Sequence, residues 1–165
     1  MPLPSTLTPI ANLTLNSATQ TVTFQNLPQN YTDIMLVSVF GATSGMDVHI
    51  RFNGDSNASN YGTVRMFSQS AGAFSSRVTD AGIQPRTSLN QTAGALSCIL
   101  RTNIMNYKST SMYKPVIGRY DFVGQTEQHS GTWMSTAAIN KIELVALANT
   151  FTAGSSFTLY GIKAA

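Results

Sequence analysis

Val48, Ile50 and Phe52 alternate with His49 and Arg51, and the run stops at Asn53-Gly54-Asp55. Successive side chains of a strand point to opposite faces. This spacing therefore sets three apolar residues on one side of a sheet and Asp47, His49, Arg51 and Asn53 on the other. Asn and Gly tolerate positive φ, and Asn and Asp side chains bond their own backbone, so Asn53-Gly54-Asp55 is turn chemistry. The same signature recurs. Residues 21–24 alternate, and 33–40 are apolar on both faces, as in a central strand. Residues 63–67, 95–105, 115–123, 141–147 and 156–162 follow, with Ile117, Tyr120 and Phe122 as anchors of their run and Trp133 in a short segment after a Gly-rich loop. Only 135–140 carries a helical hint, and it is too short for more than one turn. Eight to ten strands separated by turn signals predict an all-β chain: an antiparallel β-sandwich, jelly-roll-like. Residues 1–10, with Pro2, Pro4 and Pro9, are expected to form an extended arm, and 11–165 a single sandwich domain. The stretch 68–94 has little periodicity and reads as a long connection, functional or buried in an assembly.

The chain has 165 residues, which fits one domain with a real core. Only 10% of residues are charged, against about 25% in average domains. Ser, Thr, Asn and Gln take their place, and such a neutral polar surface suits large contact areas. The net charge is +3, but the ten basic residues are scattered and no two are adjacent. Nucleic-acid binding needs a clustered patch, so no nucleic-acid partner is expected. The single cysteine, Cys98, lies in an apolar run and reads as a buried inert thiol. The N-terminal stretch lacks the basic and continuous apolar regions of a signal peptide. No apolar run reaches the length of a membrane span.

Catalytic signals are weak. There is no Gly-X-Ser-X-Gly elbow, no His-Glu-X-X-His and no phosphate-cradling glycine loop. His49 and His129 lie far apart in sequence, and no two of the seven acidic residues fall within three positions of each other. A paired-carboxylate site would have to be made by the fold. The loop 55–60 offers oxygen atoms at alternate positions, loosely like a Ca²⁺ loop, but lacks the repeated carboxylates and the closing Glu. No catalytic, cofactor or metal residue is therefore assigned, and the chain is not expected to be an enzyme. Tyr107, Tyr113, Tyr120, Trp133 and Tyr160 either line a carbohydrate or protein contact or pack in the core with a polar tip at its edge.

Several stretches in order carry a resemblance. They are Thr8-Pro9-Ile10-Ala11, Tyr31-Thr32-Asp33-Ile34, Ile50-Arg51-Phe52-Asn53-Gly54-Asp55, Asn60-Tyr61, Asn106-Tyr107, Lys114-Pro115, Trp133-Met134-Ser135-Thr136-Ala137-Ala138-Ile139 and Gly154-Ser155-Ser156-Phe157-Thr158-Leu159-Tyr160-Gly161-Ile162-Lys163. Together they resemble a family of small tailed-bacteriophage virion proteins, described as structural, capsid-decoration or tail-fibre proteins. The resemblance implies a virion location after assembly in the host bacterial cytoplasm, with no catalytic residues. Its first expectation is a capsid decoration, or cement, protein that binds the major capsid protein and itself as a homotrimer. A short chain opening at Met1 is expected of that class more than of a fibre module. The alternative is a tail fibre or tail-tip component that holds a host-surface glycan through Tyr107, Tyr113 and Trp133. Across both, the candidate contact residues are Pro4, Pro9, His49, Arg51, Asp55, Tyr61, Tyr107, Tyr113 and Trp133.

Overall fold

Every apolar-periodic run becomes a strand. The computed structural model describes residues 6–43, 46–69, 72–86, 95–122 and 125–163. These contain twelve strands: β1 (Leu7–Thr14), β2 (Thr21–Gln25), β3 (Asp33–Phe40), β4 (Val48–Phe52), β5 (Tyr61–Gln69), β6 (Gly72–Val78), β7 (Ile83–Arg86), β8 (Cys98–Ile104), β9 (Lys114–Phe122), β10 (Gln125–Trp133), β11 (Lys141–Ala146) and β12 (Ser156–Ile162). They form two antiparallel sheets packed face to face. The larger has the order β1-β12-β3-β8-β9-β10-β5-β6, the smaller β2-β11-β4-β7.

The chain alternates between the sheets: β2 small, β3 large, β4 small, β5 and β6 large, β7 small, β10 large, β11 small. That is jelly-roll connectivity. The β8–β9 hairpin is inserted between β3 and β10, and β12 with β1 extends the far side. These four strands account for the excess over the eight of a plain jelly roll.

The core lies between the sheets. Ile34, Leu36, Phe40, Leu100, Phe157 and Leu159 of the large sheet meet Val22, Val48, Ile50, Phe52, Ile142 and Leu144 of the small one, and all are buried. Phe40 packs edge-on against Phe151 with ring centroids 5.3 Å apart and stacks on Phe157 at 6.1 Å. Burying each such ring contributes about 1.5–3 kcal/mol.

Four expectations change. The stretch before Trp133 is not a Gly-rich loop but part of β10, which pairs with both β5 and β9 along its length. The segment 68–94 is not one long connection, because it holds β6 and β7; residues 87–94 lie outside the described ones. The stretch 135–140 forms no helical turn. Its carbonyl groups are taken by side chains instead: those of Ser135 and Thr136 by Lys114 Nζ, that of Ala138 by Asn53 Nδ2, and that of Ile139 by Gln29 Nε2. The division at residue 10 also shifts. Leu7–Thr14 pair with β12 throughout, across a bulge between Pro9 and Ala11, so residues 7–10 are an edge strand and not a free arm. Pro4 lies outside the described residues.

Candidate interaction surface

Asn53 and Gly54 both have positive φ (54° and 74°), as a type I′ turn requires, and the Asp55 N–H closes the turn on the Phe52 carbonyl at 2.9 Å. All four non-glycine residues with positive φ among the described residues are asparagines, which suits their tolerance of the left-handed region. The turn is then locked from several sides. Asp55 Oδ2 accepts from Trp133 Nε1 at 2.7 Å and from Asn60 Nδ2 at 2.8 Å, and its Oδ1 accepts from the Asn57 N–H at 2.9 Å. The Tyr61 hydroxyl donates to the Asp55 carbonyl and accepts from the Phe52 N–H. Asn53 Oδ1 accepts from the N–H groups of Asn140 and Lys141. Burial pushes the Asp55 carboxyl up, but the hydrogen bonds from Trp133, Asn57 and Asn60 outweigh it and hold the group below the usual carboxylate range. The one carboxylate of this loop thus faces donors, not a cation.

Asp55, Tyr61 and Trp133 are therefore a structural knot. Tyr61 and Trp133 are buried and stack with centroids 6.5 Å apart. Asp55→Ala removes the acceptor for three donors and is expected to cost about 2–3 kcal/mol in urea unfolding, with a shift in Trp133 fluorescence in the folded state. Asp55→Asn, which keeps the shape, is expected to cost less. Equal stability of Asp55→Ala and the natural chain would mean that the knot holds nothing.

The outward face of β4 is not open. His49 is fully buried although it points away from the core. The chain at 80–82 crosses over it: the Asp80 carboxylate lies 3.4 Å from His49 Nε2, Arg51 Nε donates to the Ala81 carbonyl at 2.7 Å, and a Cβ on Gly82 would stand 2.9 Å from that of His49. Burial, only partly offset by Asp80, pushes the His49 imidazole down. The expectation that His49 meets a partner is corrected, because the partner of this face is the chain itself. Tyr107 is likewise fully buried, its hydroxyl donating to the Pro28 carbonyl. Pro9 and Tyr113 remain exposed, and Tyr113 stands beside exposed Met112.

Sequence reasoning missed a buried polar group. Leu36, Thr102, Gly118, His129, Arg65 and Ser76 form one row across six strands, on the inner face of the large sheet. Thr102 Oγ1 lies 3.2 Å from His129 Nε2, and Arg65 donates to Ser76 Oγ at 3.0 Å. Arg65 Nε is 3.5 Å from Glu127 Oε1, with both side chains under a tenth exposed. A Cβ on Gly118 would sit 2.4 Å from His129 Nε2, so the glycine makes room for the imidazole. Burial and then the Arg65 charge push the His129 pKa down to about 4. Lys114 is also fully buried, its ammonium donating to the Met112, Ser135 and Thr136 carbonyls. No local pattern announces these groups, because each is matched only by residues on other strands.

The outer face of the large sheet is different. Ile99, Ile117, Val64 and Met66, 48–59% exposed, and Val39, 37% exposed, stand on it between short neutral polar side chains. On the same face Val37, Arg101, Arg119, Gln128, Met66 and Ser75 make one row across the strands. Arg101 and Arg119 are directly opposite each other. Like charges in that position destabilise a sheet by themselves. One carboxylate answers Arg119: Asp121 Oδ1 accepts from both Arg119 Nε and a terminal nitrogen at 2.8 Å, and Thr126 donates to it as well. A shallow hollow of about 260 Å³ lies between the arginines, lined by Arg101, Asn103, Ile117, Gly118 and Arg119. Among the described residues no strand packs over this face. Apolar groups and excess positive charge together suit an acidic protein surface with apolar patches. No family model matches the chain, and no curated protein matches it.

Proposed function

We propose that the protein is a bacteriophage virion structural protein, a capsid decoration protein that binds the major capsid protein through the outer face of its large sheet. The observation that carries this reading is the pair of opposed arginines, Arg101 and Arg119, set among exposed apolar residues on that face. Such an arrangement costs folding stability, and a partner that supplies carboxylates and apolar cover would repay it. The order of motifs from Thr8 to Lys163 supports the virion class. The role is interfacial, with no chemistry: apolar burial and neutral hydrogen bonds across a large face. The alternative, a tail-fibre or tail-tip component that holds a host-surface glycan, draws on exposed Tyr113 alone, since Tyr107 and Trp133 are buried.

The test is particle reconstruction with purified shells and added protein. The natural chain should occupy the shell at a copy number in step with the capsid subunits. Arg101→Glu and Ile117→Asp, both on exposed positions, should each lower occupancy more than tenfold while the free protein stays folded, and Arg101→Glu should melt no lower than the natural chain because an opposite-charge pair with Arg119 replaces a like-charge one. No density of the natural chain on the shell, or full shell occupancy by both variants, would sink the capsid reading.

A further inference from the structure

The two sheets have four edges, and three of them are blunted. β1 carries Pro9 and a bulge. β7 has four residues, one of them Pro85. β2 has five residues. Natural sheets protect edges by these devices, because an unpaired row of N–H and C=O groups invites another strand. β6 has none of them. It runs seven residues, Gly72–Val78, with no proline and no lysine, and pairs β5 without a register shift. Among the described residues its other side meets no strand.

We propose that β6 pairs antiparallel with β6 of a second copy of this chain, about a two-fold axis, joining the two large sheets into one. The sequence of β6 fits itself. Pairing all seven residues puts the middle one, Ser75, on the axis and sets Gly72 against Val78 of the other copy. Arg77, the only charge on the strand, then faces Ala73 and not its own copy, so no like charges meet. Phe74, 47% exposed and stacked on Phe67 at 5.6 Å, gains the second copy's Ser76 as its neighbour on the inner face and loses part of its contact with water. A groove of about 440 Å³ lined by Met66, Ala73, Phe74, Ser75 and Thr126 among others opens at this edge, so the pairing brings two grooves side by side. A two-fold contact takes the place of the threefold self-association that the family resemblance implies. It does not depend on the capsid reading.

Single-cysteine cross-linking of the full chain tests the geometry, with sedimentation velocity for the assembly state. Paired Cα atoms in an antiparallel ladder lie roughly 4.5–5.5 Å apart, inside the span of a disulfide. Under mild oxidation Ser75→Cys should give a covalent dimer, whereas Thr14→Cys, exposed on the opposite edge β1, should not. Cys98 is fully buried and gives no background. The natural chain should sediment as a dimer, and Ala73→Lys with Ser75→Lys should sediment as a monomer. A monomeric natural chain overturns the proposal. So does equal cross-linking at 14 and 75, or a trimer in which Ser75→Cys does not cross-link. If the double-lysine variant does not fold, the comparison of the two cysteine variants decides alone.

Discussion

Glu127→Ala is expected to lose about 3–5 kcal/mol of unfolding free energy, because it leaves the Arg65 guanidinium buried beside an empty place. Glu127 and Arg65 lie 3.5 Å apart with 3% and 7% of their side chains exposed. Removal of one member of such a pair costs far more than the pair gains, since the surviving charge keeps its desolvation penalty. A domain with a total stability of about 5–15 kcal/mol would be left marginal. The double change Arg65→Met with Glu127→Leu removes both charges and fills the same volume, so it is expected to be neutral or stabilising by about 1–4 kcal/mol. Guanidinium unfolding of the two variants and the natural chain measures both. A loss below about 1 kcal/mol for Glu127→Ala, the value of a solvated surface pair, would show that this pair is not held in a dry interior.

Acid should unfold the protein early, and His129 should set the slope. Its pKa of about 4 in the folded chain lies below the ordinary 6.5. The unfolded chain takes up the proton first, so the folded state loses ground as the pH falls from about 6.5 to about 4, and this loss stops below 4. Above 6.5 both states hold the neutral ring and the contribution is flat. At about 1.36 kcal/mol per pH unit the total comes to roughly 3 kcal/mol. The charged ring is disfavoured because it would sit in the dry space under the sheet beside Arg65. Urea unfolding at a series of pH values should show this slope in the natural chain and a reduced slope in His129→Gln. A residual slope is expected from His49, which burial also pushes down. Identical slopes in both proteins would assign the acid sensitivity elsewhere.

The strands and the turn at Asn53-Gly54 were legible because both are local. Alternation over four or more residues fixes which side chains share a face, and Asn-Gly fixes where the backbone reverses. Val48, Ile50 and Phe52 accordingly lie in the core. Alternation does not say what covers the other face. His49 reads as outward and is outward, yet the chain at 80–82 lies over it. The same limit applies to the aromatic residues. Trp133 and Tyr61 have the composition of a binding surface, but Asp55 takes the indole N–H and Phe52 packs 5.6 Å from the Trp133 ring. The stretch 68–94 lacked periodicity because β6 is an edge strand, exposed over most of its length, so no buried face selects apolar residues at every second position.

By itself the sequence determined the class of fold, the landmark turn and the scarcity of charge, all of which depend on neighbours along the chain. The tertiary structure alone decided which polar residues are interior, which sheet face is bare and which edge is unguarded. Arg65, Glu127 and His129 become one buried group only when β5 and β10 lie side by side, and Arg101 comes to oppose Arg119 only through the register of β8 on β9. Pairing across strands joins residues distant in the chain, and no local pattern records which row each will share.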